Sequence, residues 1–542
     1  MPHNSALMKK ILLLIILFIS GACFAQQDAW VYFANKPDAD FYLNNPLRML
    51  SQKSLNRRAA QGIITDEKDV PQHQPYIQQV TTSRGITVIA KSKWLNALHV
   101  RGTVDDINAL RSLPGVDHIN FANKTLNPMG RSAGRTTVTA SGRMDRAAAE
   151  FDYGASAGQV VMLNGHLLHR ENYTGAGITI AVMDAGFPAT NTLPTFERLR
   201  SNSGIRGGYN FVGRSDNYYT GGTHGTQVLS TMAGYTEGQL VGTAPDASYY
   251  LFITEDTSGE NPLEESLWVE AAEMADSLGV DIINTSLGYF TYDNPDCSYT
   301  YQDINGETSF ITRGANIAFT RGMLCVISAG NSGATENSHI SVPADAYNAL
   351  TVGAVNSARQ IAPFSSIGPT YDMRIKPDVA AQGVATVHAN VDGTISGGNG
   401  TSYSSPVTAG LVACLWQALP GKTNTELLQL IRESADRYNN PTAQYGYGIP
   451  DFYRAMQRGL NLPQDQQPFL LYPNPSAGMV YLRLPADVGQ ASVLVFNSLG
   501  QLILKSTVLV GEPFSIQDMA EGFYTYRVEA GGKNYTGKLI KK

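Results

Sequence analysis

The chain has 542 residues, 43% of them hydrophobic and 16% charged, a balance that supplies several buried cores and excludes wholesale disorder. Its formal net charge is -6, and without a basic stripe it offers nothing to a phosphate backbone, which excludes nucleic acid as a partner.

Lys9 and Lys10 precede an apolar run from Ile11 to Ile19 that ends in small residues and Cys23-Phe24-Ala25. This predicts a secretory signal peptide over 1–25. The run is shorter than the ~20 residues a spanning helix needs, and Ser20-Gly21-Ala22 is a poor context for lipid attachment at Cys23. Cys297, Cys325 and Cys414 then remain. An odd number cannot all pair within the chain, and Cys325 and Cys414 lie in apolar runs, so no disulfide framework is expected; a partner for Cys297 is left open.

Residues 26–127 read as a small α+β module. A strand is expected over Asn96 to Gly102, then a helix capped by Thr103 with Val104, Ile107 and Leu110 on one face, then a strand over Val116 to Phe121. A Gly-, Ser-, Thr- and Arg-rich linker follows, over 128–153, with the composition of a protease-accessible segment.

From 154 to 460 apolar strand-like runs alternate with helical ones. Strands are expected at Ile178 to Met183, Ser248 to Ile253, Ile282 to Asn284, Leu324 to Ser328 and Ala349 to Val352. Helices are expected at His224 to Ala233, Asn261 to Leu278, Ile311 to Arg321, Ser404 to Ala418 and Thr425 to Ser434. That alternation predicts an α/β domain on a parallel sheet covered on both faces, with its ligand crevice at the carboxyl ends of the strands. After a linker over 461–468, residues 469–542 show short alternating segments at Val480 to Leu484, Ser492 to Phe496, Leu502 to Leu504 and Tyr524 to Val528, the pattern of a small β-sandwich.

Polar residues beside glycine recur where the central strands end. Asp184 lies in AVMDAGF, His224 in GGTHGTQVLSTMAG, Asn331 in ISAGNSG and Ser402 in GGNGTSYSSPVTAG. Amide hydrolysis at neutral pH needs a nucleophile, a base, a group to orient the base, and donors for the oxyanion. These four residues supply one candidate for each. Singly, each has a plainer reading as a strand end, helix cap or turn. Jointly, in the order Asp, His, Ser, they match one of the three known chain orders of this triad. The Ser-first order and G-x-S-x-G elbow of lipases and esterases are not matched.

With VGTAPDA at Val241 to Ala247, DIINTSLG at Asp281 to Gly288 and RIKPDVAAQG at Arg374 to Gly383, the central region resembles the subtilisin-like serine peptidases. The resemblance implies a serine endopeptidase in which Ser402 attacks, His224 is base and then acid, Asp184 orients it, and Asn331 and the Ser402 N–H bind the oxyanion. It implies that Ser286, Leu287 and Gly288 pair with an extended protein or peptide substrate, and that the chemistry needs no cofactor. Two positions depart from the family pattern: Ala185 where Ser or Thr is usual, and Gln382 where a proline is. Neither removes a catalytic group.

The insertion from Tyr289 to Ser309 gathers Asp293, Asp296, Asp303, Asn305 and Glu307. Asp303, Asn305 and Glu307 are candidate ligands for a structural calcium ion, the alternative being a solvated acidic loop. The N-terminal module resembles the inhibitory propeptide of these peptidases, an intramolecular partner of the cleft. The C-terminal module, with LYPNPSAG, VFNSLGQLI and EGFYTYRVEAGGKNYTGKLIKK, resembles the sorting domain that the type IX secretion machinery recognises. Together they imply a zymogen exported through the periplasm and outer membrane to the surface or beyond. A catalytically silent exported binding protein on a peptidase scaffold is the competing reading.

Overall fold

The computed structural model describes residues 26–127, 151–461, 471–472, 474–476, 478–482, 490–509, 512–530 and 533–542. The expected signal peptide, Cys23, nearly all of the linker over 128–153 and all but the first residue of the linker over 461–468 lie outside them.

In the N-terminal module, strands β1 (Gln27–Phe33), β2 (Thr87–Ser92), β3 (Ala97–Gly102) and β4 (Val116–Phe121) form an antiparallel sheet in the order β2-β3-β1-β4. The two-residue alternation of β1 sends its side chains to two different cores. Ala29, Val31 and Phe33 pack beneath the module's own helices with Val80, Ile107 and Leu110, while Trp30 and Tyr32 face the central domain. Helix α1 (Gln52–Ala60) precedes α2 (Gln74–Thr81), and α3 (Val104–Ala109) starts where expected, the Asp106 N–H donating to Thr103 Oγ1 at 3.1 Å. Strand β1, inside the sheet, is not among the sequence expectations, which name only β3, α3 and β4 in this module.

The central domain is built on seven parallel strands in the order β13-β12-β11-β10-β5-β9-β6. They are β5 (Thr179–Asp184), β6 (Ile205–Asn210), β9 (Ser248–Ile253), β10 (Ile282–Thr285), β11 (Leu324–Ser328), β12 (Leu350–Val355) and β13 (Val379–Gln382). A two-residue hairpin, β7 (Tyr235–Thr236) and β8 (Leu240–Val241), interrupts the run, and β14 (Thr386–Ala389) pairs with β15 (Ile395–Gly398) beside it. Every residue of β5, β10, β11 and β12 is buried, as a sheet covered on both faces requires. Successive connections leave β5 toward β9 and β6 on one side and toward β10 on the other. The crevice therefore opens between the carboxyl ends of β5 and β10.

Helices α4 (His224–Ala233) and α7 (Thr401–Ala418) cover one face with α8 (Asn424–Ser434) and α9 (Phe452–Gly459); α5 (Leu263–Leu278) and α6 (Phe310–Thr320) cover the other. Helix α7 begins at Thr401, three residues before the expected Ser404. Ser402 is thus in its first turn, and Pro406 lies inside the helix instead of in that turn. Strands β6, β13, β14 and β15 were not expected. The Gly207-Gly208 pair in β6 and the four-residue length of the other three leave little strand signal.

The C-terminal module is a sandwich of two antiparallel sheets. One contains β16 (Leu471–Tyr472), β17 (Met479–Leu482) and β20 (Pro513–Ser515); the other contains β18 (Gln490–Phe496), β19 (Leu502–Leu509), β21 (Gly522–Ala530) and β22 (Lys533–Lys541). Val493 opposes Val528 and Val495 opposes Tyr526, and these join Val480, Phe514 and Leu539 in a core of its own. Cys297, Cys325 and Cys414 are free and buried.

Candidate active site

Asp184 is the last residue of β5 and is buried at 2% exposure. His224 is the first residue of α4. The helix approaches the β5 loop so closely that a Cβ on Gly225 would stand 2.4 Å from the Gly186 carbonyl oxygen and 3.0 Å from Asp184 Cβ. Glycine is what lets the two elements meet there. The approach brings His224 Nδ1 to 2.8 Å from Asp184 Oδ1. Asp184 Oδ1 also accepts the Ala185 N–H at 2.7 Å; facing a carboxylate that can only accept, Nδ1 is the protonated nitrogen of His224.

Asp184 Oδ2 is buried and has no hydrogen-bond partner among the described residues. Ala185, where a hydroxyl residue is usual, offers none. The Asp184 charge raises the pKa of His224 against the opposing effect of burial. Close by, burial pushes Glu255 up to about 8, and its Oε1 accepts the Tyr289 hydroxyl at 2.7 Å. Burial thus works against a second charge beside Asp184.

Asn331 lies just past β11. Its Oδ1 accepts both the Thr401 N–H at 2.9 Å and the Thr401 hydroxyl at 3.0 Å. Because a backbone N–H can only donate, this contact assigns the amide orientation and leaves Nδ2 as the free donor. A Cβ built on Gly400 would lie 3.6 Å from Asn331 Nδ2 and 3.6 Å from the Ser402 N. Both nitrogens therefore lie near one point beside Gly400, whose φ of 154° suits glycine.

Pro406 has no N–H, so the Ser402 carbonyl four residues earlier loses its helical donor. Ser286 Oγ, just beyond β10, donates to that carbonyl at 3.0 Å and accepts Asn284 Nδ2 at 3.1 Å. Residues 286–288 continue past β10 outside any strand, with Leu287 half-buried and Gly288 exposed. The Tyr403 ring, next to Ser402, lies 6.1 Å from that of His224. The fold thus gathers Asp184, His224, Asn331, Ser402 and 286–288 at one end of the sheet. Thr401, which aims the asparagine, is a contributor that sequence reasoning passed over; its only signal is its place directly before Ser402.

The calcium candidates do not assemble. Asp303 Oδ2 accepts Lys124 Nζ at 2.9 Å and the Thr300 N–H at 2.8 Å. Asn305 Oδ1 accepts the N–H groups of Glu307 and Thr308, and Glu307 accepts the Tyr347 hydroxyl. Each oxygen serves a separate local contact. Among the described residues no three His, Cys, Asp or Glu side chains converge as a metal site.

A parallel sheet with an Asp–His pair at its switch point and two nitrogen donors near one spot is an arrangement that suits a hydrolase of the serine peptidase class. Comparison with known proteins gives the family. Residues 175–448 match the subtilase family, 28–139 the peptidase S8 propeptide domain of Bacteroidota, and 470–542 a secretion system C-terminal sorting domain. Subtilisin NAT of Bacillus subtilis subsp. natto is 31% identical over 293 residues, spanning 54% of this chain and 68% of that protein. The subtilisin of Bacillus pumilus is 31% identical over 54% of this chain and 94% of its own length. The solved MycP3 protease of the type VII (ESX-3) secretion system aligns at 22% identity and a TM-score of 0.46, over 58% of this chain and 91% of that one. The chain belongs to the subtilase family. It is a serine endopeptidase with a propeptide and a type IX sorting domain, which marks it for export to the cell surface or outside. Catalysis in this family needs no cofactor.

Proposed function

We propose that the chain hydrolyses peptide bonds with Ser402 as nucleophile, His224 as general base and acid, and Asp184 as its orienting carboxylate. Ser402 Oγ attacks the scissile carbonyl carbon while its proton passes to His224 Nε2. The oxyanion forms between Asn331 Nδ2 and the Ser402 N–H. Collapse expels the amine, which takes the proton from His224 and leaves an acyl-enzyme on Ser402. Water then attacks with His224 again as base, and the acid product departs. Residues 286–288 pair with the substrate backbone, which reads main chain more than side chain.

The observation that carries this reading is the His–Asp contact of 2.8 Å, with Asn331 Nδ2 and the Ser402 N both close to Gly400. It favours an enzyme over a silent scaffold, because a buried carboxylate bonded to a histidine beside two such nitrogens brings an orienting group, a base and oxyanion donors together. The modules divide the work: 26–127 inhibits and assists folding, 154–460 cleaves, and 469–542 presents the chain to the type IX machinery after a signal peptide over 1–25 is removed. A serine-directed phosphonate is expected to label the matured protein at Ser402 and to leave Ser402→Ala unlabelled. Absence of any adduct at Ser402 would establish the silent scaffold instead.

A further inference from the structure

The propeptide's last described turn, Lys124–Leu126, sits on the insertion from Tyr289 to Ser309. Lys124 Nζ donates to the Ser298 carbonyl at 2.9 Å and to Asp303 Oδ2 at 2.9 Å, and lies 3.9 Å from the centroid of the Tyr299 ring. A carbonyl, a carboxylate and an aromatic face around one ammonium form a built lysine site, suited to a compact point charge more than to a planar guanidinium.

Each wall of that site is held from within the peptidase domain. Tyr299 donates its hydroxyl to buried Glu265 at 2.6 Å and its N–H to the Phe290 carbonyl at 2.7 Å. Asp303 is fastened by the Thr300 N–H, and the Ser298 N–H donates to the Pro295 carbonyl. None of these anchors comes from the propeptide, so the site persists when the propeptide leaves. It then lacks its cation.

We propose that the insertion is an exosite for a lysine side chain of the protein substrate, occupied by Lys124 until maturation. The inference rests on the reading of Ser402 and 286–288 as the cleft. Ser286 contacts Ser402, and from the proposed edge at 286–288 the chain continues through Tyr289, paired with Val342, to Phe290, whose carbonyl accepts the Tyr299 N–H. An antiparallel substrate running past that edge reaches the site with residues on the amino side of the scissile bond. Lys124 has the same polarity, since it precedes the linker expected to be cut.

The test uses the matured protein and a peptide series with one cleavage sequence, in which a single lysine is moved stepwise along the amino side. At one position lysine is expected to raise kcat/KM about tenfold over glutamine, the size of one partly exposed charge-assisted hydrogen bond, and to act through KM. Nε-acetyl-lysine behaves as glutamine there. Asp303→Asn, which preserves the cap of the 300–303 turn, brings the lysine-to-glutamine ratio close to one, and Asp303→Glu restores part of it. A wild-type ratio near one at every position overturns the inference, as does a lysine advantage that survives in Asp303→Asn. Cleavage of the glutamine peptides reports on the triad separately, so a lysine-blind but active protein refutes the exosite alone.

Discussion

Pro406 withholds an N–H from the Ser402 carbonyl, and Ser286 fills the gap at 3.0 Å. One residue inside a helix thereby ties the backbone of the proposed nucleophile to the edge along which substrate is proposed to lie. The His224–Asp184 pair has a consequence that pH can read. The carboxylate raises the pKa of His224 above its ordinary value, and the proposed base acts only when neutral, so kcat/KM falls on the acid side with a midpoint above ~6.5. Asp184→Asn is expected to move that limb downward and to lower kcat by about 10⁴-fold; coincident limbs in the two proteins would remove Asp184 from the mechanism. For stability the sign is reversed. The ion pair stabilises the fold below the unfolded histidine's pKa, and that contribution is lost as pH rises through the raised value. Asp184, His224, Asn331 and Ser402 could be picked out as candidates because each lies within two residues of a glycine near an element's end. Thr401 could not, since its partner is 70 residues away in sequence.

Helix α7 runs through the centre of the peptidase domain, buried along nearly its whole length. A helix apolar all round has no stripe from which to count a start, which is why the sequence placed its first residue at Ser404 and the fold at Thr401. Helices α4 and α5, bounded by histidine and glycine signals, were placed within two residues at each end. Close packing of α7 makes a direct prediction. A Cβ on Gly410 would stand 2.0 Å from Thr243 Oγ1 and 2.9 Å from Thr243 Cβ, and Thr243 is itself fully buried. Gly410→Ala is expected to destabilise the domain by about 1–3 kcal/mol. A thermal-inactivation midpoint equal to wild type would show that the two elements separate freely.

Across the whole molecule, an ionic cluster fastens the propeptide to the back of the peptidase domain. Asp276, fully buried near the end of α5, accepts Arg57 on one oxygen and Arg58 on the other. Arg58 also grips Asp69 at 2.8 and 2.6 Å, and Arg321 reaches Asp66 and Asp69. Removing one member of such a set leaves charge buried and under-compensated. Asp276→Asn in an uncut Ser402→Ala background is therefore expected to cost about 3–5 kcal/mol in denaturant unfolding, and an unchanged midpoint would contradict it.

The modules also differ in whose core they share. Trp30, Tyr32, Trp94 and Ala97 of the propeptide belong to the same apolar cluster as Trp268, Phe310 and Ile327 of the peptidase domain, whereas the C-terminal sandwich closes on its own residues. The two flanking pieces are thus detachable in opposite senses. The sandwich is a label whose severance leaves the peptidase core intact at any moment. The propeptide is part of the unfinished building, and taking it away uncovers a wall that the remaining domain must already be able to stand behind. This packing fits the proposed order, in which the chain folds with the propeptide in place and the propeptide then leaves.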